Sequence, residues 1–360
     1  MKKIWTGVGV NLLVVLWGMQ ATVPKTWGQT PAPQPGMRNQ ITAKDAQALE
    51  EGLIKHPDNL TAREELIRYY FEAALNSRTP ELEGKREQHV LWLIENHPES
   101  ELAGTPEAEI MAIGLSESTE GYHRGKQLWL AQVESHPDSK RILLSAAQFC
   151  LFSDRKIARE LLEKAAALDP GDPETSSRLA QSYEHERMLV NSSEEKTALA
   201  QKALSIRELG LEKAGGEERF YELGDLATTA FEAGETAKAQ QYASELLQSA
   251  QKFKNDWNYG NAVHKGNIIL GRIALQRGDT ASAKEHLLAA GETPGSPQLN
   301  SFGPNMTLAK ELLEKGERDV VLAYLQSCAK FWKMGTDNLQ SWMATVKAGG
   351  IPEFGGNLLY

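Results

Sequence analysis

Residues 270–279 read Leu-Gly-Arg-Ile-Ala-Leu-Gln-Arg-Gly-Asp, and the pattern of this stretch occurs three times in the C-terminal half of the chain. Leu270 and Gly271 are a large residue followed by a small one. The apolar Ala274 comes three positions after Gly271, Gly278 four positions after Ala274, and the apolar Ala283 five positions after Gly278. The other copies are Leu226, Ala227, Ala230, Gly234 and Ala239, 44 residues earlier, and Leu308, Ala309, Leu312, Gly316 and Val321, 38 residues later. Self-similarity at such periods is typical of repeat proteins, in which each unit packs on its neighbours.

The repeated glycine predicts the turn between the two helices of each unit. Gly234, Gly278 and Gly316 each stand where the chain must leave a helix with a positive φ. The acidic residue that follows the last two glycines suits the first turn of the next helix. Leu, Ala, Glu, Lys and Gln dominate after residue 40, and they lose little rotamer freedom in a helix. We therefore predict an all-α fold of antiparallel helix pairs.

The N-terminal half carries a recurrent proline phrase. The four copies are His56-Pro57-Asp58-Asn59, His97-Pro98-Glu99-Ser100, His136-Pro137-Asp138-Ser139 and Asp169-Pro170-Gly171-Asp172. Proline disfavours helix for the residue before it, and the Asn, Ser or Asp that closes each phrase is a good N-cap. Each phrase is therefore expected to end one helix and begin the next, with the histidine near the carbonyl groups of the last turn.

Between these phrases, small and large residues recur at a spacing of 34. Ala146 and Phe149 are followed by Ala180 and Tyr183, and the second helix of the unit carries Ala158 and Leu162. Small residues at such points let two helices approach closely. This pattern resembles the tetratricopeptide repeat (TPR), a helix–turn–helix of 34 residues.

The resemblance to TPR proteins covers residues 42–334 and implies a right-handed superhelical solenoid with irregular insertions. In that family, the first helices line a concave groove that binds a peptide or protein. The steps of 44 and 38 residues and the missing signature tryptophan depart from the family pattern. Residues 258–332 also resemble a block found in uncharacterised bacterial exported repeat proteins, to which no activity is attached.

The N-terminus reads as a signal peptide over residues 1–21. Lys2 and Lys3 precede an apolar stretch from Ile4 to Met19, and Ala21 is a suitable small residue at the cleavage site. An uncleaved anchor is the alternative. A Pro-rich linker over residues 22–41 follows, and a C-terminal helix with an apolar tail is expected over 335–360. We therefore expect a periplasmic or secreted protein, whose tail docks on the last helix or occupies the groove.

Composition narrows the classes of partner and chemistry. The net charge of −9 falls to −11 when Lys2 and Lys3 leave with the signal peptide, and no block of Lys and Arg is present, so nucleic acid and anionic membranes are poor candidates. Cys150 and Cys328 are interpreted as buried free thiols, a disulfide being the alternative. The sequence contains no HExxH, CxxC or G-x-S-x-G motif. We expect no metal, no cofactor and no enzymatic activity, although a hydrolase with an unrecognised site stays open.

One polar helix face is the candidate binding site. Asn258, Asn261, Lys265 and Arg272 are spaced to project from one side of a helix. The TPR resemblance implies that asparagines there hold a peptide backbone and that basic residues hold a carboxylate. The alternatives are an ordinary solvated face, or asparagines that tie down the segment 291–305, which shows no helical pattern.

The leading hypothesis is therefore a non-catalytic, exported interaction module. A structural assembly subunit, stacking through the ends of the solenoid, is the competing hypothesis. An exposed apolar terminal helix would favour that second class.

The predicted signal peptide can be tested by locating the N-terminus of the mature protein. The mature protein should begin near Thr22, because Ala21 closes the expected cleavage site. N-terminal sequencing of the protein from native envelope fractions measures this. Recovery of intact Met1 from the cytoplasm would contradict it.

Overall fold

The computed structural model describes residues 41–77, 79–111 and 119–359, which are 76% helical and contain no strand. The predicted signal peptide and all of the linker except Ile41 lie outside these residues. Sixteen α-helices occur in the described part of the chain: α1 (Ala43–Lys55), α2 (Leu60–Ser77), α3 (Pro80–Asn96), α4 (Thr119–Ser135), α5 (Lys140–Cys150), α6 (Arg155–Leu168), α7 (Pro173–Leu189), α8 (Ser193–Lys213), α9 (Gly216–Glu232), α10 (Thr236–Ala250), α11 (Tyr259–Gln276), α12 (Thr280–Gly291), α13 (Pro297–Phe302), α14 (Thr307–Glu314), α15 (Arg318–Cys328) and α16 (Thr336–Lys347). The all-α prediction is confirmed.

Consecutive helices pack in pairs, as expected of a helical repeat array. The chain forms two compact units, and the boundary between Ser182 and Tyr183 falls inside α7. We call the described residues 41–182 the N-terminal unit and residues 183–359 the C-terminal unit. In the N-terminal unit α2 pairs with α3 and α5 with α6; in the C-terminal unit α9 pairs with α10, α11 with α12 and α14 with α15.

Three of the four proline phrases separate α-helices as predicted. The side chain of Asn59 accepts a hydrogen bond from the Ala62 N–H (3.1 Å) and caps α2. Asp172 accepts from the Thr175 N–H (2.9 Å), and Pro173 is the first residue of α7. At the third phrase, the His136 ring donates to the Gln132 carbonyl (3.1 Å), which satisfies an acceptor in the last turn of α4.

The second phrase behaves differently, and the prediction of a new α-helix there is wrong. Ser100 instead begins two 3₁₀ turns, Glu101–Gly104 and Pro106–Ala108. Gly104 and Pro106 follow the cap so closely that an α-helix would carry both in its first turns. Gly104 also lies against Ser145, and a Cβ at this position would sit 2.7 Å from the Ser145 hydroxyl oxygen.

The predicted glycine turns of the C-terminal unit are confirmed. Gly234, Gly278 and Gly316 have φ values of 79°, 80° and 86°. At each turn, the N–H after the glycine donates to a carbonyl five residues earlier, as with Asp279 and Ala274 (2.9 Å). This is the Schellman motif, which satisfies carbonyl groups left open at a helix end. The three repeated turns therefore share one geometry.

Small residues bring the paired helices into close contact, as the repeat pattern predicts. Ala227, Ala239, Ala283, Ala309 and Val321 are fully buried. A Cβ added to Gly271 would overlap Leu308 Cδ2 and lie 3.1 Å from His286 Cβ. Gly271 thus touches both its partner helix α12 and the next first helix, α14.

The segment 291–305 contains a short helix, contrary to the expectation of none. Ser296 caps α13 by accepting the Leu299 N–H (3.0 Å), and Pro297 occupies the first helical position. A helix of six residues is too short to show periodicity. Its only sequence signal is the pair of an N-cap serine and a first-turn proline.

The C-terminal tail docks on the last helix. Phe354 is buried against Trp342 of α16, with ring centroids 5.0 Å apart. The Asn357 side chain donates to the carbonyl groups of Phe302 (3.1 Å) and Pro304 (2.9 Å), and the Asn357 carbonyl accepts from the Met306 N–H (2.8 Å). The tail therefore joins α16 to the segment before α14.

Gly271→Ala tests the close contact between helix pairs. The added methyl group would overlap Leu308, and overpacking of this kind costs about 1–3 kcal/mol of unfolding free energy. Gly52→Ala is the matched control, because a Cβ on this α1 glycine meets nothing within 4 Å. It should stabilise the protein by about 0.5–1 kcal/mol. Denaturant melts that move in the same direction for both variants would contradict the packing described above.

Candidate functional site

The four predicted site residues lie at the start and along the exposed side of α11. Asn258 directly precedes the helix, and Asn261, Lys265 and Arg272 follow within it. The structure brings them together only in part. The two asparagines contact each other, whereas Lys265 reaches α9 and Arg272 reaches α14.

Asn261 holds the segment 291–305, and Asn258 holds the side chain of Asn261. The Asn261 side-chain amide donates to Asn258 Oδ1 and to Gln298 Oε1, both at 2.8 Å. The Ser296 hydroxyl donates to Asn261 Oδ1 at 2.5 Å. These contacts are the ones that the structural alternative predicted for the asparagines.

Lys265 bridges two successive first helices. Its ammonium group lies 2.6 Å from Asp225 Oδ1 on α9, and its aliphatic stem crosses Gly224. Burial by itself would raise the pKa of Asp225, but the charges of Lys265 and Arg207 outweigh it and lower this pKa to about 2. Asp225 is therefore an anion at physiological pH, and the pair is a salt bridge with about a third of each side chain exposed.

Arg272 forms the corresponding bridge to the next first helix. Its guanidinium lies 2.9 Å from Glu311 on α14, and its central carbon stands 4.3 Å from the centre of the Phe231 ring. A planar guanidinium suits this combination of a carboxylate at its edge and a ring under its face.

A more deeply buried cation, Arg207, lies next to the Asp225–Lys265 pair. Arg207 of α8 donates to Glu184 (2.9 and 3.0 Å) and to Glu222 (2.9 Å), and its side chain is 1% exposed. Asp225 lies 3.7 Å from Arg207 and thus connects this cluster to Lys265. Removing one partner from such a network leaves an uncompensated buried charge.

The pairs Asp225–Lys265 and Arg272–Glu311, together with Thr228 and Lys310, form a polar row that we call the first-helix surface. It crosses α9, α11 and α14 and consists of Asp225, Thr228, Lys265, Arg272, Lys310 and Glu311, all partly exposed. The sequence prediction missed four of them, Asp225, Thr228, Lys310 and Glu311. The repeat offsets held a signal for two, because Thr228 and Lys310 follow Ala227 and Ala309 just as Arg272 follows Gly271.

The buried His264 links α11 to α12 and to the residues just before α14. His264 donates from Nδ1 to the Ala290 carbonyl (3.0 Å), and its Nε2 accepts from the Asn305 N–H (3.0 Å). Both ring nitrogens are therefore used by the neutral form. Burial lowers the pKa of His264 from 6.5 to about 4, so the ring stays neutral at pH 7. Tyr324 donates to the Asn305 carbonyl (2.8 Å) and completes the link.

The start of α11 also meets the segment 291–305 through backbone. A Cβ added to Gly260 would overlap the Gly295 carbonyl oxygen. The Thr293 hydroxyl donates to the Gly260 carbonyl (3.0 Å) and accepts from the Gly295 N–H (3.2 Å). Only glycine fits this contact.

Metal ligands, thiols and buried acids outside the first-helix surface are the other groups that could carry chemistry. The part of the chain that the structure describes holds no group of His, Cys, Asp and Glu arranged to ligate a metal. Both cysteines are buried free thiols, and burial raises the pKa of Cys150 to about 11. Burial also raises the pKa of Glu109 to about 7, and its carboxylate accepts a 3.4 Å hydrogen bond from the Gln148 amide.

No known protein family and no curated protein matches this chain. None of the helices in residues 41–77, 79–111 and 119–359 combines the length and the apolar character that a membrane span requires.

The His264 link predicts a pH-dependent contribution to stability. Because the ring is neutral in the fold and has an ordinary pKa of 6.5 when unfolded, this contribution is complete above pH 6.5. It should disappear as the pH falls towards 4, where protonated Nε2 would face the Asn305 N–H. We expect the difference in unfolding free energy between wild type and His264→Asn to shrink over this range in denaturant melts. A difference that is constant across this range would contradict the assignment.

Proposed function

We propose that this chain is an exported, TPR-like interaction module that binds a protein or peptide partner along its first-helix surface. In this proposal the helix pairs form a right-handed solenoid, and the protein works in the periplasm or outside the cell without catalysing a reaction. The supporting observation is the pair of salt bridges, Asp225–Lys265 and Arg272–Glu311, that joins three successive first helices while leaving the charges partly exposed.

Binding would proceed by exchange of partners. A ligand carboxylate would take over Lys265 or Arg272, and a ligand cation would take over Asp225 or Glu311. In such an exchange each charge that loses its partner is paired again by a group of the ligand, so no charge is left uncompensated. Hydrogen-bonding groups at equivalent positions of α9 and α14 are added by Thr228 and Lys310.

The end of the C-terminal unit bears on the competing hypothesis of an assembly subunit. That hypothesis expects an exposed apolar terminal helix. Leu339, Trp342 and Val346 of α16 are instead buried, with Phe354 of the tail packed against Trp342. This observation favours a binding surface on the side of the array over stacking through this end.

Site-directed crosslinking tests the proposed surface. Thr228→Cys and Lys310→Cys each place a thiol at a partly exposed position of this surface. The native cysteines do not compete for the reagent, because they are buried and burial raises their pKa. Glu285→Cys is the matched control, since Glu285 is exposed on the second helix α12. A photoreactive maleimide on either surface variant should crosslink one common partner in the native envelope fraction.

The control variant Glu285→Cys should not crosslink that partner. Crosslinking that is equal from Glu285→Cys and from the two surface variants, or that is absent from both surface variants, would refute the proposal. Lys265 and Arg272 are less suitable for this test, because their replacement would leave Asp225 and Glu311 without their cations.

A further inference from the structure

An exposed aromatic pair lies beside the first-helix surface. The Trp257 side chain, just before α11, is 40% exposed. Its ring stacks on Tyr221 of α9, with centroids 5.6 Å apart and planes inclined by 24°. One face of the indole is thus covered by its own protein, and the side chain is still accessible to a ligand.

Two carboxylates hold this pair in place. Tyr221 Oη lies 2.6 Å from Glu217 Oε1 and 2.8 Å from Asp256 Oδ2. A phenol has one proton, so its hydroxyl can donate a hydrogen bond to only one of these two acceptors at a time, and it neutralises the charge of neither. The Asn258 N–H donates to the other oxygen of Asp256 (2.7 Å), which fixes the carboxylate next to Trp257.

The contacts of these two carboxylates within the described residues are hydrogen bonds and not ion pairs. Glu217 and Asp256 face the Tyr221 hydroxyl, and Asp256 also accepts the Asn258 N–H. Neighbouring carboxylates differ in this respect, since Glu245 is paired with Arg219 (2.6 Å) and Asp225 with Lys265. An exposed indole beside two carboxylates is complementary to a cation.

The same unit already holds an arginine in the corresponding way. Arg272 lies between the face of Phe231 (4.3 Å) and the carboxylate of Glu311 (2.9 Å). Trp257 stacks on Tyr221, whose hydroxyl contacts Asp256 and Glu217, so the same two recognition elements, a ring and an acid, lie close together here. A tryptophan ring is the stronger cation partner of the two.

We propose that Glu217, Tyr221, Asp256 and Trp257 form a pocket, here named the Trp257 pocket, that binds an arginine side chain of the protein partner. The guanidinium would stack on Trp257 and donate hydrogen bonds to the carboxylates. This inference rests on the proposed function, because Tyr221 lies in the first helix α9 and Trp257 lies just before the first helix α11. It adds that the partner is basic, which complements the net charge of −9.

Blocked peptides test this pocket in the full mature chain. The probe is tetra-arginine with an acetylated N-terminus and an amidated C-terminus, and the control peptide carries citrulline, which keeps the shape of arginine without its charge. Tryptophan indole N–H resonances report binding, and Trp257→Phe identifies the signal of Trp257. We expect the arginine peptide to shift that signal and to bind at least about tenfold more tightly than the citrulline peptide.

Variants separate the pocket from general charge. Trp257→Ala and the double variant Glu217→Gln/Asp256→Asn should each weaken the arginine peptide about tenfold, while Trp257→Phe should retain part of the affinity. Glu134→Gln/Asp138→Asn removes the same charge from exposed positions of the N-terminal unit and should leave binding unchanged. If Trp257→Ala unfolds at a much lower temperature than wild type, the binding measured with Glu217→Gln/Asp256→Asn tests the pocket, because this double variant keeps the aromatic stack.

Two results would overturn the inference. One is equal affinity for the arginine and citrulline peptides. The other is unchanged arginine binding in a folded Trp257→Ala or Glu217→Gln/Asp256→Asn variant.

Crosslinking distinguishes this failure from failure of the proposed function. A partner captured from Thr228→Cys and from Lys310→Cys, whether or not Trp257→Ala is also present, would refute the pocket alone. Loss of surface-specific crosslinking would refute the proposed function itself.

Discussion

Close contact between helices at one small residue per repeat is the constraint on which the C-terminal unit depends. At Ala227, Gly271 and Ala309 the first helix approaches its neighbours so closely that a methyl group on Gly271 would overlap Leu308. This contact fixes the rotation of each first helix. The residue after the small one is partly exposed all three times, and Arg272 comes within reach of Glu311.

The parts of the fold that depend on local chemistry could be predicted from the sequence. Helix ends at Pro57, Pro137 and Pro170, and positive φ at the three repeat glycines, follow from the properties of single residues. The 3₁₀ turns after Ser100 and the helix α13 were not predicted. In the first case breakers inside the segment outweigh the cap that precedes it, and in the second the helix is shorter than any periodic pattern.

The candidate site was predictable in position but not in its connections. Spacing put Asn258, Asn261, Lys265 and Arg272 on one side of a helix, and in the structure all four are partly exposed. The partners of Lys265 and Arg272 lie on other helices, 40 and 39 residues away in the chain. Such pairings depend on how one helix is set against the next, which no spacing within a helix records. The role of His264 is similar, because both of its hydrogen bonds close over long sequence separations.

The contact between Gly260 and Gly295 has an evolutionary consequence. The Gly295 carbonyl oxygen lies there in the space that a Cβ on Gly260 would need, so this contact is made by backbone atoms. No change of side chain on one partner can be compensated by a change of side chain on the other. Position 260 can consequently carry only glycine as long as the segment 291–305 keeps this path, whatever side chains that segment has.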